Sequence, residues 1–125
     1  MNWAGIGAGA LCLAVMLGAF GAHGLRDRLD AYSLGVYERA VFYHFIHALG
    51  LLITPLFVRA GMIAAAAGER VAWLLLAGIV MFSGSLYALA ISGARVLGAV
   101  TPFGGLAFIL AWGLLAVGLI RGVRS

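Results

Sequence analysis

Four long apolar runs, separated by arginine, constrain this chain more than any other feature of its sequence. All eight basic residues are arginine, and they stand near the ends of the runs. A helix that crosses the ~30 Å hydrocarbon core of a bilayer needs about 20 apolar residues. The runs therefore predict transmembrane helices over residues 3–22, 36–58, 71–93 and 102–120.

Composition excludes a soluble alternative. Hydrophobic residues make up 65% of the 125 residues and charged residues only 10%. A small soluble domain leaves much of its surface in water and cannot hide that much apolar area. The short connections favour antiparallel neighbours. We therefore predict an all-α, integral membrane, up-down bundle of four helices in one domain, residues 1–125.

The distribution of charge argues against nucleic acid as a partner and leaves the orientation open. The net charge is +4, but the arginines are scattered and form no patch that would neutralise a row of phosphates. The positive-inside rule compares the arginines on the two sides of the membrane. The two sides carry equal numbers, so the rule gives no orientation. The four on the side of the termini are Arg59, Arg70, Arg121 and Arg124, and the four on the other side are Arg26, Arg28, Arg39 and Arg95.

The ends of the helices carry their own signals. The first run lacks a basic segment before it, so we expect a retained helix rather than a cleaved signal peptide. Leu25–Arg39 holds half of the charged residues and predicts a short amphipathic segment on the membrane surface. Ser33 is the expected N-cap of helix two. Thr101 is the expected N-cap of helix four, with Pro102 at its first position.

Small residues recur along helix one at four-residue spacing. Because lipid is as apolar as leucine, helices associate in a bilayer through close packing of small residues. Such residues are expected to hold the monomer together, or else to face a partner subunit in a homo-oligomer or a membrane complex. They are the Gly5–Gly9 pair and the series Ala10, Ala14, Gly18 and Ala22.

Polar residues inside the membrane are the best indicators of a functional site. On helix two, Tyr43, His47 and Thr54 fall within about 40° of one another, and His44 lies beside them. Three roles are open for the histidines. They could ligate a metal or haem, relay protons, or form interhelical hydrogen bonds, and the last is favoured.

Two further groups of polar residues are candidates, and the second completes a polar seam of Tyr43, His47, Thr54, Ser83, Ser85 and Tyr87. Glu38 and His23 are the candidate neighbours for a proton relay near the membrane surface. On helix three, Ser83 and Tyr87 share one face and Ser85 lies nearly opposite. One possibility is a small polar pocket between helices two and three, lined by His47, Ser83 and Tyr87.

The sequence shows no catalytic pattern. No nucleophile stands with a base and an orienting acid, and there is no phosphate-binding loop, zinc-ligand spacing or pair of carboxylates. We therefore predict no enzymatic activity, no metal site and no cofactor.

Four stretches of the sequence stand out together: GAFGAHGL at 18–25, YHFIHAL at 43–49, FSGSLY at 82–87 and LGAVTPFGG at 97–105. With them, the chain resembles the "domain of unknown function 423" family of small bacterial membrane proteins. The resemblance implies four transmembrane helices, a place in the bacterial inner membrane and no established activity. It makes His23, Tyr43, His47, Ser83, Ser85, Tyr87, Thr101 and Pro102 the residues to test, whereas His44 lies outside the pattern.

Two functional hypotheses follow. The first is a structural, accessory or assembly factor that acts through helix packing with partners in the lipid bilayer. The alternative is a binder or transporter of a small molecule, lipid or quinone that uses the polar seam between helices two and three.

Overall fold

A computed structural model describes residues 1–123 of the chain, and these form four long helices. Arg124, counted above for the orientation, lies outside the described residues. All four helices are long and apolar enough to cross a membrane. They are α1, Trp3–Leu25; α2, Ala31–Arg59; α3, Ala65–Ser92; and α4, Thr101–Arg121.

The connection between α1 and α2 is shorter than the sequence suggests. The last turn of α1, Gly21–Leu25, continues the helix as a π-helical turn. Asp30 is the N-cap of α2 and accepts a hydrogen bond from the backbone N–H of Ser33 at 2.7 Å. Ser33 is therefore not the cap as predicted, because the carboxylate three residues earlier already accepts from its N–H. The turn is limited to residues 26–30, and the rest of the predicted surface segment belongs to α2.

The start of α4 also differs from the prediction. A 3₁₀ turn, Arg95–Ala99, precedes it, and Thr101 is the first helical residue rather than the N-cap. The hydroxyl of Thr101 lies 2.6 Å from that of Ser85 on α3 and therefore bonds between helices instead of capping its own. Pro102 lies in the first turn, where its missing N–H costs no hydrogen bond.

The helices pack as a bundle in which α1 lies mainly against α2 and α4 mainly against α3. The core between α2, α3 and α4 is closed, since Leu51, Val71 and Leu75 are 0% exposed. A second cluster, around Tyr37 and Leu86, fills the end of the bundle near residues 26–30. Because α4 packs mainly against α3, the backbone of α4 stays apart from that of α2. Aromatic side chains line the furrow between α2 and α4.

Glycine permits the closest approaches of the backbones. A Cβ at Gly7 would lie 2.6 Å from the backbone nitrogen of Leu52, and a Cβ at Gly104 would lie 2.8 Å from Cα of Phe82. The Gly5–Gly9 pair points away from the core, because both residues are exposed and a Cβ at Gly9 would meet nothing within 4 Å. Contact between α1 and α2 thus depends on Gly7 rather than on that pair.

Candidate functional site

His47 lies near the middle of α2, buried at 5% exposure. Its Nδ1 lies 2.6 Å from the backbone carbonyl oxygen of Tyr43, one turn earlier. A carbonyl oxygen can only accept, so Nδ1 carries the proton and donates it. In the neutral ring, Nε2 is then an acceptor with no proton of its own.

Aromatic rings hold the imidazole in place. The His47 ring stacks on Phe108 of α4, with centroids 3.4 Å apart and planes 12° apart. Tyr43 lies nearly parallel to His47, at 7° between planes, and packs against Phe82 of α3 with centroids 4.4 Å apart. Trp112 approaches His47 from the next turn of α4 at 5.8 Å. Rings from three helices therefore fix the orientation of one histidine.

These rings line a recess of about 500 Å³, which we call the lateral groove. Ile109 is one of the residues that line the groove, and its side chain is 70% exposed. The groove therefore opens on the outer surface of the bundle. In a membrane that surface faces lipid tails. The residues that line the lateral groove are Tyr43, His47, Phe82, Gly105, Phe108, Ile109 and Trp112.

His44 belongs to a different part of the molecule. Its Nδ1 lies 2.9 Å from the hydroxyl of Tyr87, and both side chains line a second recess of about 320 Å³ between α1 and α3. Tyr87 packs edge-on against Tyr37, whose hydroxyl donates to the carbonyl oxygen of Leu17 on α1. This polar group joins three helices, and the partner of His44 cannot be read from the sequence because it lies on another helix.

The remaining polar residues of the seam form hydrogen bonds within the bundle. Ser83 donates to the carbonyl oxygen of Ala40 at 2.8 Å and joins α3 to α2. Thr54 donates to the carbonyl oxygen of Gly50 at 2.6 Å, within α2. Ser85 donates to the carbonyl oxygen of Phe82 and also contacts Thr101. These groups are satisfied without a ligand.

The predicted seam is therefore divided. His47 and Tyr43 line the lateral groove, Tyr87 lies with His44 in the second recess, and Ser83 bonds to backbone. A common pocket of His47, Ser83 and Tyr87 does not form, because His47 turns toward Phe108 of α4, whereas Ser83 bonds to Ala40 and Tyr87 to His44.

The other candidates lie apart from the groove. His23, Glu38 and Pro102 are exposed near the ends of their helices. Glu38 borders a shallow recess of about 150 Å³ beside Gly21. Within residues 1–123, no three side chains among His, Cys, Asp and Glu lie close enough together to hold a metal ion.

Sequence reasoning missed the part of the groove that belongs to α4. Phe108 and Trp112 are four residues apart and share a helical face with Gly105, a pattern that places two rings over a small residue. That pattern is visible in the sequence. The pattern alone does not mark a site, because aromatic rings at this spacing on a membrane helix can equally face lipid.

Comparison with known proteins decides the family. The model of the family described as a protein of unknown function (DUF423) matches residues 17–105. The chain belongs to this family. The match includes Tyr43, His47, Phe82 and Gly105 of the lateral groove, and the rest of the groove lies beyond it.

Relatives of this DUF423 protein cover nearly its whole length. UPF0382 membrane protein YwdK of Bacillus subtilis is 43% identical over 116 residues, which are 93% of this chain and 94% of the relative. A UPF0382 membrane protein of Staphylococcus haemolyticus is 45% identical, over 92% of this chain and 93% of the relative. No solved structure matches. With four apolar spans, the chain is a multi-pass protein of the bacterial inner (plasma) membrane.

Proposed function

We propose that this DUF423 protein is a non-catalytic membrane protein that retains a small lipophilic molecule in the lateral groove. The observation that carries the proposal is the aromatic recess of about 500 Å³ with a buried histidine in its wall. Sites for small organic molecules are recesses of about this size, lined by apolar and aromatic groups with a few polar atoms that orient the ligand.

The closed core favours retention over transport. A molecule that crossed the bundle would need a passage between α2, α3 and α4, where Leu51 and Leu75 are fully buried. The lateral groove instead opens sideways, where Ile109 is exposed. A ligand would therefore enter from the lipid and return to it.

The groups that line the groove favour binding over chemistry. Its ionisable side chains are those of His47 and Tyr43, and no carboxylate, thiol or serine lines it. A general base needs a nucleophile or an acidic proton within hydrogen-bond reach, and the groove supplies no such partner of its own.

Filling the groove tests the proposal. Gly105 borders it, and a Cβ there would only touch the Phe82 ring at 3.8 Å, so Gly105→Leu is expected to fold and to occupy the space. Native mass spectrometry of protein released from nanodiscs should show a bound lipophile in wild type and none in Gly105→Leu. The matched control is Gly113→Leu, on the outer face of α4, where a Cβ meets nothing within 4 Å. Equal occupancy in all three proteins would overturn the proposal.

A second candidate function, as an accessory or assembly factor, is favoured by the position of α1. This helix lies at the edge of the bundle with α2 as its main neighbour, and its outer face carries Gly5, Gly9 and Cys12 exposed. A partner helix could pack closely on such a face.

Disulfide crosslinking through Cys12 tests this second candidate. If α1 forms a homo-oligomer, mild oxidation in native membranes should give a covalent dimer of wild type. A variant with Cys12→Ser and Gly113→Cys moves the thiol to the outer face of α4 and should stay monomeric. Equal crosslinking of both proteins would indicate random collision and would count against α1 as the interface.

A further inference from the structure

The hydrogen-bonding state of His47 restricts what the lateral groove can hold. A histidine can present either a donor or an acceptor to a ligand, depending on which nitrogen carries the proton. Here the choice is made by the backbone, because the carbonyl oxygen of Tyr43 lies 2.6 Å from Nδ1 and requires a proton there.

The second nitrogen is therefore an acceptor. A charged imidazolium would carry a proton on both nitrogens, but an unpaired charge near the middle of a bilayer is costly, and no carboxylate lines the groove to compensate it. His47 is accordingly neutral, and its Nε2 presents a lone pair.

This lone pair is open to the groove. Among residues 1–123, every side-chain nitrogen or oxygen that is sealed from the surface has a hydrogen-bond partner. The bond of His47 to the chain is made through Nδ1, so Nε2 has no partner in that part of the chain and must be reachable from outside. The lateral groove is the recess that His47 lines.

The walls indicate the shape of the ligand. Tyr43, His47 and Phe108 form a stack of nearly parallel rings, with planes 7° to 18° apart, and Trp112 and Phe82 complete the lining. Because His47 and Phe108 already contact each other face to face, a ligand would contact the part of this stack that lines the groove. Flat conjugated rings stack on such surfaces better than branched chains do. The ligand is therefore expected to combine a flat aromatic body with a donor.

We propose that the lateral groove selects hydroxylated aromatic lipophiles, a phenol or a hydroquinone, whose hydroxyl donates to Nε2 of His47. The inference rests on the proposed function, since it names the ligand class of the same groove. A quinone or an aryl ether offers only acceptors and leaves Nε2 without a partner. Tyr43 does not discriminate, because a tyrosine hydroxyl can either donate or accept.

Two probes that differ in one hydrogen-bond donor test the inference. 2-Naphthol and 2-methoxynaphthalene share a two-ring body, but only the first can donate. Their binding to wild type in nanodiscs is measured by tryptophan fluorescence and corrected for partition into empty nanodiscs. We expect 2-naphthol to bind about five- to tenfold more tightly, which corresponds to one hydrogen bond. In His47→Phe, which keeps the stacked ring, this preference should vanish.

The outcomes separate the inference from the function on which it rests. Equal binding of the two probes to wild type, with both lost in Gly105→Leu, would leave the groove as a binding site and overturn its selection for donors. Failure of both probes to bind wild type, or binding that Gly105→Leu leaves unchanged, would overturn the proposed function and the inference together.

A measurement on wild type alone guards against misfolding of the His47→Phe variant. Nitrogen NMR of ring-labelled histidine distinguishes protonated from unprotonated ring nitrogens. We expect His47 to show a protonated Nδ1 and an unprotonated Nε2 whose resonance shifts with 2-naphthol but not with its methyl ether. A protonated Nε2 in the free protein would contradict the inference.

Discussion

Hydrogen bonding in the spans sets His47 apart from the hydroxyl residues around it. The hydroxyl groups of Ser83 and Thr54 donate hydrogen bonds to backbone carbonyl oxygens, because a polar group buried in a membrane protein needs a partner within the protein. His47 does the same with Nδ1 but keeps Nε2 open toward a recess. The stacked rings hold the imidazole of His47 in place, and one of its two nitrogens has no partner. His47 is therefore suited to orient a ligand.

At Asp30, a single carboxylate links stability to pH. The hydrogen bond from the Ser33 backbone N–H lowers the pKa of Asp30 below its ordinary value of 3.8. A carboxylate whose pKa is lowered by folding stabilises the folded protein above its unfolded pKa, and that contribution disappears as the pH falls through the folded pKa.

We therefore expect Asp30→Ala to lower the melting temperature at neutral pH. The difference from wild type should shrink as the pH falls from 3.8 toward the lower pKa of the folded state, where Asp30 becomes protonated. Thermal unfolding in detergent across this range measures the difference. Asp27→Ala removes a carboxylate from the same turn without removing the cap and is the control. A difference for Asp30→Ala that did not change with pH would show that the cap is not the cause.

A second prediction concerns Glu69, whose carboxylate joins α3 to α1. It accepts from the indole N–H of Trp3 at 2.7 Å and from that of Trp73 at 3.1 Å. Trp3 is only 5% exposed, so Glu69→Ala leaves a nearly buried donor without its partner. We expect a loss of about 1 kcal/mol in the free energy of unfolding, since Glu69 itself is exposed.

Denaturant titration followed by tryptophan fluorescence measures this loss. Arg70→Ala, at the neighbouring exposed position, is the control and should stay near wild type. In a double-mutant cycle, Trp3→Phe and Glu69→Ala should be less than additive, because each removes the same bond. Strict additivity would mean that the bond contributes nothing.

At the scale of the helices, the sequence located the four spans but not their ends. Long apolar runs are a strong signal because the bilayer requires a fixed length, whereas the first residue of a helix depends on local competition for a few N–H groups. Ser33 was the predicted cap of α2, but the carboxylate of Asp30, three residues earlier, takes that place. Thr101 was a suitable cap for α4, and its hydroxyl instead bonds to another helix.

Helix packing shows a similar limit of prediction. The four-residue spacing on α1 joins Ala14, which is 0% exposed, with Ala22, which is exposed. It does not distinguish Gly7, which touches α2, from Gly9, which faces outward. Spacing defines a face of the helix, but only the partner determines which face is buried.

Gly7 and Gly9 therefore make a matched pair for testing the contact. In Gly7→Ala the new Cβ would lie 2.6 Å from the Leu52 nitrogen and 2.9 Å from its Cα, so α1 must move away from α2. We expect a loss of about 1–3 kcal/mol, the usual cost of overpacking. Gly9→Ala should unfold like wild type or slightly later, because alanine favours a helix. If the two variants had the same stability in thermal unfolding, the described contact of α1 with α2 would be wrong.

For the whole molecule, the family and the four-helix bundle could be predicted, whereas the lateral groove could not. The groove exists because α4 leans on α3 and leaves a furrow beside α2, and no local pattern in the sequence encodes that separation. The residues that line the groove also come from distant segments of the chain, such as Tyr43 and Phe108. The candidate polar residues were found, but the structure divides them between separate places.

The bundle as a whole is closed at its centre and open at its side. A filled core around Leu51 and Leu75 fits a protein that does not pass solutes through itself. An aromatic recess on the lipid side fits a protein that exchanges a ligand with the bilayer. Both features support retention of a lipophile as the function of this fold.

Photolabelling can show where a lipophile lies on this protein. A phenol that carries a diazirine would be irradiated with wild-type protein in nanodiscs, and the adducts mapped by mass spectrometry. We expect adducts concentrated on the groove residues of α2 and α4, Ile109 and Trp112 among them, and suppressed by excess 2-naphthol and by Gly105→Leu. Adducts spread over the outer faces of all four helices, and unaffected by the competitor, would contradict it.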